Sequence, residues 1–175
     1  IPFFVTPEPG RRQSRICVLV PTLTYTVYAN IARGTTTDSL RARIAEWNAW
    51  PWTTDDHPEY GLSTYNYHTD GSGIGYSSRR RPIITMRSGV VCYPDVPGSG
   101  LRHFAADAHL WYWLEHMGYA FDVLTDDELH EHGSDAVAPY DAVLTTTHPE
   151  YHTANTLDAL HTYSRTGGHL MYLGG

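Results

Sequence analysis

The segment Thr147-His148-Pro149-Glu150-Tyr151-His152 combines an imidazole and a carboxylate two residues apart, directly after the apolar run Ala142-Val143-Leu144-Thr145. An imidazole can move a proton near neutral pH, and a carboxylate can accept one or bind a cation. Pro149 removes a backbone donor and stiffens the turn, so the spacing of the two groups is held. If the run is a strand and a helix follows, the pair stands at the carboxyl end of a strand, where open α/β sheets place their ligands. The plain alternative is a polar surface loop whose glutamate faces water.

Two further clusters carry reactive side chains. One is Pro21 to Asn30, with Tyr25, Tyr28 and several threonines, directly after an apolar run. The other is Ser63-Thr64-Tyr65-Asn66-Tyr67-His68-Thr69-Asp70-Gly71-Ser72-Gly73. The second is neither a P-loop nor a dinucleotide fingerprint, because it lacks the lysine and the strand-to-helix context. No Gly-x-Ser-x-Gly elbow occurs, and the turn after Thr147 offers proline and glutamate where a nucleophile would stand. Cys92 lies between Val91 and Tyr93 with no visible partner histidine, which leaves a thiol hydrolase a minor reading. His-Glu-x-x-His and Cys-x-x-Cys are both missing. His130-Glu131-His132 ends a short polar helix and reads as a solvated face. What remains is tyrosine with glutamate, hard oxygen donors suited to a hard ion such as ferric iron. The ordinary role of a buried tyrosine is packing with one satisfied hydroxyl, and on the residues alone that role takes precedence.

The elements that must position these groups follow from pattern. Ile16–Val20 is a continuous apolar run ended by Pro21, as in a strand buried on both faces. Asp38 is placed to cap a helix over 39–47, with Leu40, Ile44 and Trp47 on one side. Residues 48–81 are aromatic and glycine-rich, a long irregular excursion of the kind that is usually functional. The short basic run Arg79-Arg80-Arg81 reads as a solvated turn or subunit contact leading into a strand over 82–86. Apolar spacing predicts a helix over 101–117 stopped by Gly118. A strand over 120–124, a helix from an Asp126 cap to Gly133, a strand over 140–146, a helix over 155–165 and a strand over 169–173 complete the chain. Alternating strand and helix argues for an α/β fold with a parallel sheet.

Residues 1–15 read as a linker from a preceding domain, and 16–175 as part of one α/β domain cut at its carboxyl end. The chain lacks an initiator methionine, so a longer polypeptide is expected. A formal charge of −7 argues against nucleic acid, which requires clustered cations. Two cysteines make no disulfide framework, and Cys17 in an apolar strand suits a reducing compartment. No apolar run nears the ~20 residues that span a bilayer. These points set the expectation of a soluble, cytoplasmic protein. The 13 tyrosines, 11 histidines and 5 tryptophans stand out, yet composition does not assign them a role.

Taken together, Val20-Pro21-Thr22 leading to Tyr28, the Ser63 to Gly73 block with Ser77-Ser78 and Arg81-Pro82, and Thr147-His148-Pro149-Glu150-Tyr151 resemble the large (beta) subunit of the N,N-dimethylformamidases. The likeness runs from about Ile16 to Gly175. It implies a flavodoxin-like, class I glutamine amidotransferase-like parallel sheet with flanking helices and a long aromatic loop. It further implies a mononuclear iron, ferric in type, held by two tyrosines and one glutamate. Carried over by position, Glu150 is the carboxylate ligand, Tyr28 one phenolate, and His148 an acid/base beside the metal. Tyr65 and Tyr67 both fall in the block that supplies the second phenolate; Tyr65 is chosen because it heads the Tyr-x-x-His pattern. A further asparagine of that family's site would fall just past Gly175. A small helical partner subunit and a hetero-oligomer are implied as well.

The resulting expectation is a metal-dependent hydrolase that splits N,N-dimethylformamide, or a similar small formamide, into formate and dimethylamine. His148 and Glu150 are the catalytic residues, with Trp50, Trp52 and Tyr25 as an apolar pocket for the N-methyl groups. The rival is a non-catalytic, glutamine amidotransferase-like ligand-binding module of a larger protein.

Overall fold

A computed structural model describes residues 3–32, 38–91 and 103–174. They divide into two compact units, one within 25–105 and one of 3–24 together with 106–174.

The second unit holds the sheet. Strands β1 (Ile16–Val20), β2 (Phe121–Thr125), β3 (Ala142–Thr145) and β4 (His169–Met171) are all parallel, in the order β2-β1-β3-β4. This is the start of the 2-1-3-4-5 order of flavodoxin-type doubly wound sheets. Val18 pairs with Val123 on one side and Leu144 on the other, so β1 is central, and Cys17, Val18, Leu19 and Val20 are buried. Cys17, Leu19 and Val143 face one layer, packing with Leu129 of α4 (Asp126–His132) and Ala159, Leu160 and Tyr163 of α5 (Ala154–Arg165). Val18 and Leu144 face the other, against Leu110, Trp111 and Leu114 of α3 (Phe104–His116). Each such buried aliphatic side chain contributes about 1.5–3 kcal/mol, which makes the sheet a rigid mount for the loops at its ends. Burial pushes the Cys17 thiol far above its usual range, as suits an inert core residue. Gly118, at φ 78°, terminates α3 as the sequence predicts.

One element is new and two expectations need correction. Residues after Pro21, to which pattern assigns no element, form a helix, α1 (Thr22–Tyr28). Its threonines and tyrosines hide the helix, and its first turn is stabilised from outside, by the Asp126 carboxylate accepting the Leu23 N–H at 3.1 Å. The cap of α4 is Thr125, in a reciprocal box with Glu128, which leaves Asp126 available to α1. Finally, 82–86 is not a strand: Ile84–Met86 is a single 3-10 turn, since the Ile84 N–H goes to the Asn30 side chain instead of a ladder.

The first unit packs Leu40 and Ile44 of α2 (Asp38–Glu46) against Val91, Trp47 and Ala49. The long excursion is irregular, as predicted, but its backbone is well bonded. Buried Asn30, at φ 58°, donates to the carbonyls of Gly61 (3.1 Å) and Pro82 (2.8 Å) and accepts from Ile84 (2.8 Å). Arg81 is no solvated turn: it donates to the carbonyls of Leu62 and Ala29 and to Ser77.

Candidate functional site

In a 2-1-3-4 sheet the chain turns in opposite directions after β1 and β3, and the crevice opens between their carboxyl ends. The turn after β3 carries His148 and Glu150, and their side chains meet: His148 Nε2 lies 2.9 Å from Glu150 Oε2. Pro149 between them is buried, and the Glu150 N–H reaches back to the His148 carbonyl at 3.0 Å, a three-residue turn that proline's fixed φ favours. Both side chains keep about a third of their surface in solvent, so the pair is reachable.

Three elements hold this turn. Thr24 of α1, with no exposed surface, accepts the N–H groups of Glu150 and Tyr151 on its hydroxyl oxygen, each at 3.1 Å. Fully buried Asp107 of α3 accepts from the Thr147 N–H (2.8 Å) and hydroxyl (2.7 Å). Past β4, Gly174 lies so close to Pro149 that an added Cβ would stand 2.4 Å from the proline ring. On the far side His152 shares its Nε2 with the Pro149 carbonyl at 3.0 Å. Thr146 Oγ1 and His152 Nδ1 are buried with no hydrogen-bond partner among the described residues, so the turn retains unused bonding capacity.

The tyrosines belong to the other unit. Tyr28 is buried, and Tyr65 stacks on it with centroids 4.3 Å apart and planes 13° from parallel; the His103 ring meets Tyr28 edge-on at 4.6 Å. Local bonding explains why Tyr65 arrives there. The Ser63 hydroxyl donates to the Val27 carbonyl (2.8 Å) while accepting the Tyr65 N–H (3.1 Å), and Asn66 pairs with the backbone of Ala32. Tyr67 is 71 % exposed and bridges to Gly73 instead.

Other sequence candidates separate from this picture. Cys92 lies outside the described residues. His130 and Glu131 are exposed, with His130 Nδ1 on the Thr153 hydroxyl, which agrees with a solvated helix end. Trp50, Trp52 and Tyr25 sit in three different settings. The Arg87 guanidinium covers Trp50 at 3.5 Å, Trp52 is half exposed beside His57, and Tyr25 packs on Phe104. A surface hollow lined by Arg12, Ile16, Tyr119 and Asp141 lies at the amino ends of the strands, away from the histidine–glutamate pair. The sequence reading missed Thr24 and Asp107 as determinants of the turn, and Asp126 as the partner of α1. None carries a local signal, since each acts through a partner more than 30 residues away.

The family described as N,N-dimethylformamidase beta subunit-like, C-terminal, matches residues 1–175. The chain belongs to that family. It is 39 % identical over 181 residues to the N,N-dimethylformamidase beta subunit of Paracoccus aminophilus, and 38 % to that of an Alcaligenes species. The matches take in 99 % of this chain but only 23 % of each relative, so the chain spans about a quarter of their length.

Phenol and carboxylate oxygens, the donor types of Tyr28, Tyr65 and Glu150, are hard donors of the kind that suits a hard trivalent cation. Among the described residues no three His, Cys, Asp or Glu side chains gather to hold a metal.

Proposed function

We propose that this chain contributes the catalytic residues of an amide hydrolase that cleaves N,N-dimethylformamide or a similar small formamide. The observation that carries the proposal is the His148–Glu150 contact, held at the carboxyl end of β3 by Thr24 and Asp107. The name of the relatives, N,N-dimethylformamidase, supports the substrate class.

Tyr28, Tyr65 and Glu150 would hold a ferric ion, three anionic oxygens balancing its charge of three. The stack of Tyr65, 40 % exposed, on buried Tyr28 favours Tyr65 over Tyr67, 71 % exposed, as the second phenolate. When bound, the ion supplies Lewis acidity toward the formyl oxygen. The remaining work falls to this chain's side chains. Glu150 has two carboxylate oxygens, so one can orient the His148 ring while the other serves the cation. His148 takes a proton from the attacking water as the new carbon–oxygen bond forms. It returns that proton to the amine nitrogen as the carbon–nitrogen bond breaks, since an unprotonated dialkylamide is a very poor leaving group. The products are formate and dimethylamine, with a partner subunit part of the proposed assembly.

The test is His148→Ala in the full-length polypeptide. Iron and colour should persist while kcat falls by roughly 10²–10⁴-fold, the usual cost of losing a general acid/base. Loss of iron would make His148 a ligand. Unchanged turnover would overturn the proposed role.

A further inference from the structure

Backbone N–H groups in a turn between a strand and a helix have no ladder to join, and each one buried without a partner costs about 1–3 kcal/mol. The amides of Glu150 and Tyr151 lie in such a turn, after β3 and before the Thr153 cap of α5, and the Glu150 N–H is shared with the His148 carbonyl at 3.0 Å. Both point at one oxygen, Thr24 Oγ1, at 3.1 Å each. Consecutive amides converging on a point form a concavity that in other proteins receives an anion. Here a hydroxyl from the neighbouring strand's connection fills it, and it does so with no exposure to solvent.

The consequence is specific to Glu150. Peptide units are planar, so a residue's orientation is set by the two planes that flank its Cα. The Glu150 N–H lies in the plane before that Cα and the Tyr151 N–H in the plane after it. An oxygen bonded to both fixes φ and ψ of Glu150 together, and with them the direction of its Cα–Cβ bond. The turn of α1 just before Thr24 is itself anchored: the Leu23 N–H donates to Asp126 at 3.1 Å and the Thr22 hydroxyl to Asp127 at 3.3 Å.

We propose that Thr24 is the positioning residue for the Glu150 carboxylate, setting its aim from the β1 side of the crevice without touching substrate. The inference rests on the reading that Glu150 is the working carboxylate. Its effect passes through the backbone, so the acceptor oxygen is the property that matters and the methyl group is not.

The experiment compares Thr24→Val, Thr24→Ala and Thr24→Ser in the full-length protein. Valine keeps the shape and removes the acceptor; serine keeps the acceptor and removes the methyl; alanine covers the case in which valine impairs folding. Thermal melting checks the fold. Hydrogen exchange by mass spectrometry follows the 148–153 segment, competition with a chelator gives the ferric iron affinity, and steady-state kinetics separate kcat from KM. Valine and alanine should speed exchange in that segment, weaken iron by about 10- to 100-fold, as loss of an orienting partner does, and lower kcat with KM nearly unchanged. Serine should restore all three. Iron affinity and kcat unaltered in the valine and alanine variants would overturn the proposal, as would a serine variant as impaired as valine. If the unaltered protein binds no iron, the metal reading fails separately. Thr24 is then judged on kcat and exchange alone, and unchanged kcat in valine and alanine overturns it.

Discussion

Glu150 serves two neighbours, His148 through Oε2 and, on the proposed reading, a ferric ion through its carboxylate. Glu150→Ala should therefore abolish both iron binding and turnover, while Glu150→Asp, one methylene shorter, should retain weak iron binding with little activity. Iron by elemental analysis and a formamide assay check both, and full activity in the alanine variant removes Glu150 from the site. The tyrosines allow an independent optical test. Ferric tyrosinate absorbs visible light, so Tyr28→Phe and Tyr65→Phe should each bleach or shift that band and leave the fold intact, since each loses one oxygen. Tyr67→Phe should be silent, because that ring is largely in solvent. A silent Tyr65→Phe with a responsive Tyr67→Phe would reverse the assignment. His148 and Glu150 were legible in the sequence because a proline between two reactive side chains after an apolar run is a local signal. Thr24 was not, because one threonine among several near β1 gains its meaning only from amides 126 and 127 residues away.

At the level of elements, α1 is short and, apart from Leu23, made of β-branched and aromatic residues, so its order depends on what meets its first turn. Asp126 is that contact, and burial pushes its carboxyl up to about 7, against the opposing pull of the Leu23 N–H. The folded protein thus keeps this proton up to about pH 7, whereas the unfolded chain releases it near pH 3.8. Between those values the folded state binds more protons, and stability falls as pH rises, by at most about 1.4 kcal/mol per unit. Asp126→Asn keeps an acceptor for Leu23 without a charge to bury. Its melting temperature should gain on the unaltered protein between pH 5 and 7, and parallel pH profiles for the two would refute the assignment. The same helix shows where sequence pattern failed. Its stabilising carboxylate comes from 103 residues further on, just as the Asn30 side chain diverts Ile84 from a strand. Elements that bury their own stripe, such as α3, α5 and β1, were readable because periodicity reports burial directly.

Over the whole molecule, the strand–helix alternation of the second half yielded the parallel sheet correctly, while the division into two units left no trace in composition. A two-unit arrangement depends on contacts such as those of Asn30 and Arg81, which knit residues 25–105 through backbone carbonyls that no pattern marks. Among the described residues no helix is long and apolar enough to cross a membrane. The chain accounts for about a quarter of the length of its relatives, so the decisive measurement belongs to the full-length polypeptide. Elemental analysis of that protein, paired with its visible spectrum, tests the tyrosine–glutamate ferric centre most directly. The account predicts iron near one per chain, a tyrosinate band that disappears with the iron on chelation, and loss of formamide hydrolysis in step with it. A protein that hydrolyses formamides without stoichiometric iron, or keeps full activity after exhaustive chelation, would contradict it.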